Sequence, residues 1–268
     1  MKKLSYLLTA ILTMFATSCI EHHVTIELNK DGSGKVIEET LFGAQMLAMI
    51  EQMAAGFGEN PGQQSNPLEE LRSKNEAEKK ASEMGEGVTL VSVENVEQNG
   101  SKGARVTYAF EDINKVDFSK NLSMDDMGPQ PQGAEPEEEK PMTSQFSYAD
   151  GVLTVTNPAA GDEGAVDAGE APPTDPAQMA QAKQMMSDMK MSMKLVVPGG
   201  IAETNATHVD GNTVTFMEMH MGKILEHPDA FEKLNQAQAE SPAEMQAVLE
   251  GIDGMKGESK EKVTVKLK

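Results

Sequence analysis

Residues 24–41, VTIELNKDGSGKVIEETL, contain two stretches of alternating apolar and polar side chains on either side of a turn. Alternation with a period of two is typical of half-buried β-strands. The segment between them, 29–34, supplies the Asn, Asp and Gly residues that tight turns favour. The stretch therefore predicts a β-hairpin near the start of the chain.

Further strand pairs follow the same pattern. The predicted pairs are 87–97 with 103–111, 143–149 with 152–156, and 201–207 with 212–221. Their turns contain Asn99-Gly100, Asp150-Gly151 and Asp210-Gly211, which suit tight hairpins because these residues tolerate a left-handed backbone. Single strands are expected over 191–197 and 263–267.

Helical spacing of apolar residues and N-capping residues predict several helices between the strands. One covers about 46–57, and a second begins after Asn66 as N-cap, has Pro67 in its first turn and runs to about Met84. Three more are expected after Asp175, after Pro228 and after Ser241. Hairpins interspersed with helices, without a repeated strand–helix–strand order, predict an α+β fold on an antiparallel sheet of about seven or eight strands.

The N-terminus has the order of a secretory signal. Residues 1–18, MKKLSYLLTAILTMFATS, begin with two lysines, continue with an apolar stretch and end in small residues before Cys19. Ala16-Thr17-Ser18-Cys19 resembles a bacterial lipobox, so we expect a lipoprotein signal peptide at 1–18 and a lipid attachment at Cys19. Acyl chains such as palmitate would anchor the protein to a membrane of the bacterial cell envelope, on its extracytoplasmic side. The alternative is an ordinary signal with a coincidental cysteine.

The charge of the chain excludes one class of partner. There are 43 Asp and Glu against 23 Lys and Arg, a net charge of −20 that becomes −22 once Lys2 and Lys3 leave with the signal. An acidic surface repels nucleic-acid phosphates, so nucleic-acid binding is not expected. Many acids fall in 120–141 and 157–174, which we interpret as disordered loops within a single mature domain, 19–268.

Methionine is the most distinctive component, with 20 Met and no Trp. The Met residues concentrate on a predicted helix stripe and on two predicted strand faces, one of which would carry Thr215, Met217, Met219 and Met221. The candidate apolar lining is Met186, Met189, Met191, Met193, Leu195, Met217, Met219 and Met221.

Three interpretations of these methionines stay open. They are ordinary core residues, or an adaptable surface for an apolar ligand such as a lipid or glycolipid, or thioether ligands for Cu(I) that include Met185 and Met189.

Motifs for catalysis do not occur in the sequence. There is no nucleophile elbow, zinc-protease helix or phosphate-binding Gly-rich loop, so we expect no enzyme activity, no cofactor and no metal site other than the Cu(I) alternative. Residues 27–38 have the spacing of a calcium loop, but the flanking stretches alternate like strands, where an EF-hand needs helices. The hairpin turn accounts for the same residues.

Two stretches resemble the LppM-type bacterial lipoproteins. The first is 24–28 with 30–36; the second is 195–201 with Asn205-Ala206 and 209–216, which looks like the Pro-Gly turn of that family and the hairpin after it. The resemblance implies a curved antiparallel sheet wrapped around a helix, similar to helix-grip folds, in an envelope protein proposed to bind glycolipids or lipids. We therefore expect a non-catalytic, membrane-anchored envelope lipoprotein that binds lipid. The alternative is a structural or interaction lipoprotein with a solid core, whose acidic segments contact a basic protein partner.

Overall fold

The computed structural model describes residues 20–56, 66–118, 145–156, 187–227, 247–248 and 250–268. The signal at 1–18, Cys19, the acidic segments, Met186 and the helices expected after Asp175 and Pro228 lie outside the described residues. The strands are β1 Ile20–Leu28, β2 Gly34–Phe42, β3 Thr89–Gln98, β4 Ser101–Phe110, β5 Gln145–Ala149, β6 Val152–Thr156, β7 Lys190–Val196, β8 Ile201–Thr204, β9 Val209–Asp210, β10 Thr213–His220, β11 Met255–Gly257 and β12 Lys262–Leu267. The helices are α1 Ala44–Gly56, α2 Pro67–Leu71, α3 Lys74–Glu83 and α4 Met221–Leu225, with a 3-10 turn at Ile113–Lys115.

Eight strands form the larger sheet, in the order β11-β10-β7-β1-β2-β4-β3, with β9 also paired to β10. All its pairs are antiparallel except β1 with β7, which run parallel. The first hairpin, β1 with β2, is the one that the alternating stretch predicts. Because β1 pairs with β2 along one edge and with β7 along the other, it lies inside the sheet.

Four strands form a smaller antiparallel sheet, in the order β5-β6-β12-β8. Its buried residues, such as Leu153 and Val265, share one core with Ile26, Val36 and Leu195 of the larger sheet. Helix α3 contributes Ala77 and Ala81 to the same core. The predicted α+β fold class is confirmed. The second sheet and the parallel pair of β1 with β7 depart from the single antiparallel sheet that the hairpins predict.

The helix expected from Asn66 to about Met84 is two helices. The predicted N-cap is correct, since Asn66 Oδ1 accepts a 3.0 Å hydrogen bond from Leu68 N. However, α2 ends at Leu71, and Ser73 then caps α3 by accepting from Glu76 N at 3.3 Å. A second capping residue therefore starts a new helix within the charged stretch.

The predicted shared face of β10 is also wrong in part. A β-bulge shifts the register so that Thr215 lies opposite Lys194, whereas Met217 lies opposite Met193. Thr215 therefore points to the other face of the sheet. Met221 has left the strand and is the first residue of α4. Of the four residues, only Met217 and Met219 share a strand face.

Candidate functional site

A second apolar cluster lies apart from the main core. We call it the methionine cluster: Met189, Met219, Met221, Ile224, Val248, Ile252 and Met255. Three members are buried, namely Met221, Ile224 and Ile252, whereas the other four are only partly buried. The cluster is therefore an apolar surface that solvent still reaches.

Sheet register builds one side of this cluster. Met255 of β11 lies opposite Met219 of β10, Met219 lies opposite Met191 of β7, and Met191 lies opposite His22 of β1. Residues opposite each other in a sheet share a face, so Met191, Met219 and Met255 form a continuous row on three neighbouring strands. We call these three residues the thioether row.

Backbone hydrogen bonds close the cluster at the end of β10. Met221 N donates to Met189 O at 2.9 Å, and His220 N donates to Gly254 O at 2.7 Å. The first bond joins the start of α4 to the residue before β7. The second holds the turn before β11 against the end of β10.

The candidate lining residues divide between two places. Met193 and Leu195 are buried in the main core, and Met217 packs against that core. Met189, Met219 and Met221 belong to the methionine cluster. Met191 is 4% exposed and lies opposite Met219 in the sheet, but it is not a member of the methionine cluster. The structure thus brings only part of the predicted set together.

Four residues of the cluster were not among the candidates: Ile224, Val248, Ile252 and Met255. Val248 and Ile252 have helical spacing, which could have identified them as one apolar face. Met255 lies in a strand of three residues, which is too short to show a period. Ile224 lies in the short helix α4 and likewise shows no pattern of its own.

Polar side chains continue the same sheet face beyond the row. His22 Nδ1 lies 2.9 Å from Thr40 Oγ1, and Glu38, which is 6% exposed, accepts a 2.9 Å hydrogen bond from Lys80 Nζ of α3. Burial, and secondarily the negative charge of Glu38, raises the pKa of the Tyr108 hydroxyl. Over the described part of the chain, no group of three or more His, Cys, Asp and Glu side chains could hold a metal ion.

The opposite face of the larger sheet carries ion pairs. Glu218 lies between Lys194 at 3.1 Å and Lys256 at 3.0 Å, and Glu21 pairs with Lys190 at 2.9 Å. Desolvation raises the pKa of the Glu218 carboxyl, but the hydrogen bonds and positive charges of the two lysines outweigh it, so the net pKa lies below its usual value. This face is therefore charged, in contrast to the apolar row on the other face.

The methionine cluster lies at the end of the sheet where β1 begins. Ile20 directly follows Cys19 and lies opposite Phe42. Because β7 runs parallel to β1, its start at Lys190 lies opposite Glu21, and β10 ends there with His220 opposite Lys190. The start of β1 therefore lies at the end of the sheet that carries the cluster.

Fold and site together define an α+β protein with a partly exposed methionine cluster at one end of a mixed sheet. None of the helices in the described ranges has the length and apolar character that crossing a bilayer requires. No family model matches the chain, and no curated protein matches it. Among solved structures, the chain is similar to the folded domain of LppM from Mycobacterium tuberculosis, determined by NMR, with 10% identity, a TM-score of 0.31, and coverage of 79% of this chain and 88% of that chain. A TM-score this low supports no conclusion about a shared fold or function.

Proposed function

We propose that the protein is a membrane-anchored envelope lipoprotein without catalytic activity, and that its methionine cluster binds an acyl chain of a lipid or glycolipid. The position of the cluster carries this proposal, because the cluster lies at the sheet end where β1 follows Cys19. An acylated Cys19 would hold this end next to a bilayer, which is a source of acyl chains.

The side chains of the cluster suit an apolar ligand of irregular shape. Methionine is flexible and polarizable, so a surface rich in it adapts to the ligand better than a rigid aromatic wall does. Met189, Met219 and Met255 are partly exposed, and an acyl chain would replace their contact with water. Each buried methylene contributes roughly 0.8 kcal/mol to the free energy of binding, so the contribution grows with the length of acyl chain that the cluster covers.

Native mass spectrometry of protein extracted from membranes tests the proposal. We expect covalent acylation on Cys19 and, in addition, a non-covalently bound lipid. Met255→Glu places a charge on the short strand β11 and should remove the bound lipid while the covalent acylation stays. Val91→Glu is the matched control, because Val91 is 55% exposed on β3, and it should keep both. Thermal unfolding followed by circular dichroism shows that each variant folds.

Two results would contradict parts of the proposal. A Cys19 without acyl chains would rule out the anchor. A delipidated protein that binds no envelope lipid would rule out the ligand. If such a protein were acylated on Cys19, it would be a structural or interaction lipoprotein.

Cu(I) binding by the thioether row is a second candidate function. Neighbouring strands are about 4.8 Å apart, so the backbones of Met191 and Met255 are separated by roughly 10 Å, with Met219 between them. Flexible methionine side chains can span this distance to share one ion, and thioether sulfur is a soft ligand suited to Cu(I).

An anaerobic competition with a coloured Cu(I) chelator tests this candidate. Met191→Leu, Met219→Leu and Met255→Leu should each weaken Cu(I) binding at least tenfold, whereas Met193→Leu, in the main core, should not. Equal affinities for all four variants would rule the site out. The same three variants keep an apolar surface, so they should still bind lipid, which separates the two candidate functions.

A further inference from the structure

Helix α1 begins close to the start of β1. Cys19 adjoins Ile20, Ile20 lies opposite Phe42, and α1 starts two residues later at Ala44. Consecutive Cα atoms are 3.8 Å apart and opposite residues on paired strands are at most about 5.5 Å apart. The Cα atoms of Ile20 and Ala44 are therefore separated by no more than about 13 Å.

The composition of α1 differs from that of the chain as a whole. Its sequence is AQMLAMIEQMAAG, in which Glu51 is the one charged residue, whereas 25% of the whole chain is charged. None of residues 44–52 is buried, and Met46, Leu47, Met49 and Ile50 are partly exposed. These four apolar side chains lie on one side of α1, whereas the exposed residues Gln45, Glu51 and Gln52 lie on the other. A helix with an apolar and a polar face is suited to the interface of a bilayer.

We propose that α1 is an interfacial helix that lies on the bilayer to which Cys19 is attached. This inference rests on the proposed anchor and adds a second membrane contact. The anchor raises the effective concentration of α1 at the bilayer surface, so a contact too weak to hold the free protein is sufficient. Because the chain is strongly acidic, the partner surface is a zwitterionic bilayer rather than an anionic one.

Two membrane contacts fix the orientation of the protein on the bilayer, whereas one flexible anchor leaves it free to rotate. With Cys19 and α1 both at the bilayer, the end of the sheet that carries the methionine cluster faces the headgroups. A lipid could then pass between bilayer and cluster without crossing bulk water.

Two features of the composition allow a direct test. Cys19 is the single cysteine and the chain contains no Trp. The chain from Cys19 to Lys268 can therefore be coupled through that thiol to a maleimide lipid in phosphatidylcholine vesicles, and a substituted Trp is the sole indole. This tether does not depend on acylation in cells.

Leu47→Trp is the reporter variant. After coupling, we expect its emission to shift to shorter wavelength and to be quenched by phosphatidylcholine with brominated acyl chains. Val91→Trp, on the exposed edge strand β3, is the matched control and should show neither change. Adding Met46→Glu and Ile50→Glu to the reporter should abolish the quenching. Ile50→Trp replaces the reporter if Leu47→Trp does not fold.

An unquenched Leu47→Trp on folded, coupled protein would overturn the inference. Equal quenching of Leu47→Trp and Val91→Trp would overturn it too, because the contact would then be non-specific. Failure of the proposed anchor appears separately, as a Cys19 without acyl chains in material purified from membranes.

Discussion

Glu38 on β2 and Lys80 on α3 form a hydrogen-bonded ion pair of 2.9 Å, which connects the larger sheet to the helix that covers it. The two partners differ in their exposure to solvent. The side chain of Glu38 is 8% exposed, whereas that of Lys80 is 27% exposed. A buried carboxylate depends on its partner, because an unpaired charge in the interior is costly.

Removing the lysine should therefore destabilise the protein. We expect Lys80→Met to lower the free energy of unfolding by about 2 kcal/mol, because the buried Glu38 carboxylate loses the hydrogen bond and the positive charge of Lys80. The double variant Glu38→Leu with Lys80→Met should recover much of this loss. Urea denaturation measures both. Lys74→Met on the same helix is the control, since its ion pair with Glu78 is exposed, and a loss as large as that of Lys80→Met would contradict the explanation.

Gly103 on β4 is expected to tolerate no side chain. A Cβ at this position would meet the backbone oxygen of Thr40 and the Cα of Leu41 on the paired strand β2. Backbone cannot move aside like a flexible side chain, so Gly103→Ala should cost about 2–3 kcal/mol of stability in urea denaturation. Gly199→Ala is the control, because nothing lies within 4 Å of its Cβ. Similar losses of stability for the two variants would show that β2 and β4 can move apart enough to accommodate a Cβ at position 103.

The ion pairs of Glu218 should make stability depend on pH. Its folded pKa is lowered, with Lys194, Lys256 and, at 3.9 Å, His220 facing the carboxylate. A lowered folded pKa gives stability that is present above the unfolded pKa, about 4.3, and is lost as the pH falls through the folded value. Glu218→Gln should therefore cost about 1 kcal/mol at pH 7 and progressively less below about pH 4. Chemical denaturation at several pH values measures the difference in stability between Glu218→Gln and the unchanged protein. A difference that does not depend on pH would contradict the prediction.

Local sequence chemistry explains why the hairpins β3–β4 and β5–β6 were predictable. The predicted pair 201–207 with 212–221 is wrong, because β8 pairs with β12, whereas β10 pairs with β7, β9 and β11. Asn99 and Asp150 both have a φ of 52°, as the Asn-Gly and Asp-Gly turns require. The parallel pairing of β1 with β7 joins Val24 to Met193, far apart in the chain. Alternation shows which face of a strand is apolar, but it does not identify the neighbouring strand, so this pairing and the second sheet were not predictable.

The same limit applies to the candidate site. Met193 and Met219 both belong to alternating stretches, yet Met193 lies in the main core and Met219 in the methionine cluster. Their different surroundings depend on which distant segments cover each end of the sheet. Met255 carries no local signal, because β11 has only three residues.

Glu258 joins the two sheets and gives the last prediction. Its side chain is 1% exposed and accepts hydrogen bonds from Thr207 N at 2.6 Å, from Thr207 Oγ1 at 3.0 Å and from Lys260 N at 3.2 Å. Thr207 follows β8 of the smaller sheet, whereas Glu258 follows β11 of the larger sheet and donates its own N–H to Phe216 O at 2.9 Å. One carboxylate therefore accepts hydrogen bonds from both Thr207 and Lys260, which are far apart in the sequence and come together only in the folded protein.

Glu258→Ala should leave these donors without an acceptor and cost about 3 kcal/mol in urea denaturation. Glu258→Gln should cost less, because an amide oxygen in the place of Oε1 still accepts from Thr207 Oγ1 and Lys260 N, while the NH₂ group faces Thr207 N. Amide hydrogen exchange at Thr207 and Lys260 should accelerate in both variants, and more so in the alanine variant. Glu261→Ala, at an exposed position, is the control. If Glu258→Ala were no more destabilising than this control, the carboxylate would not be what holds the two sheets together.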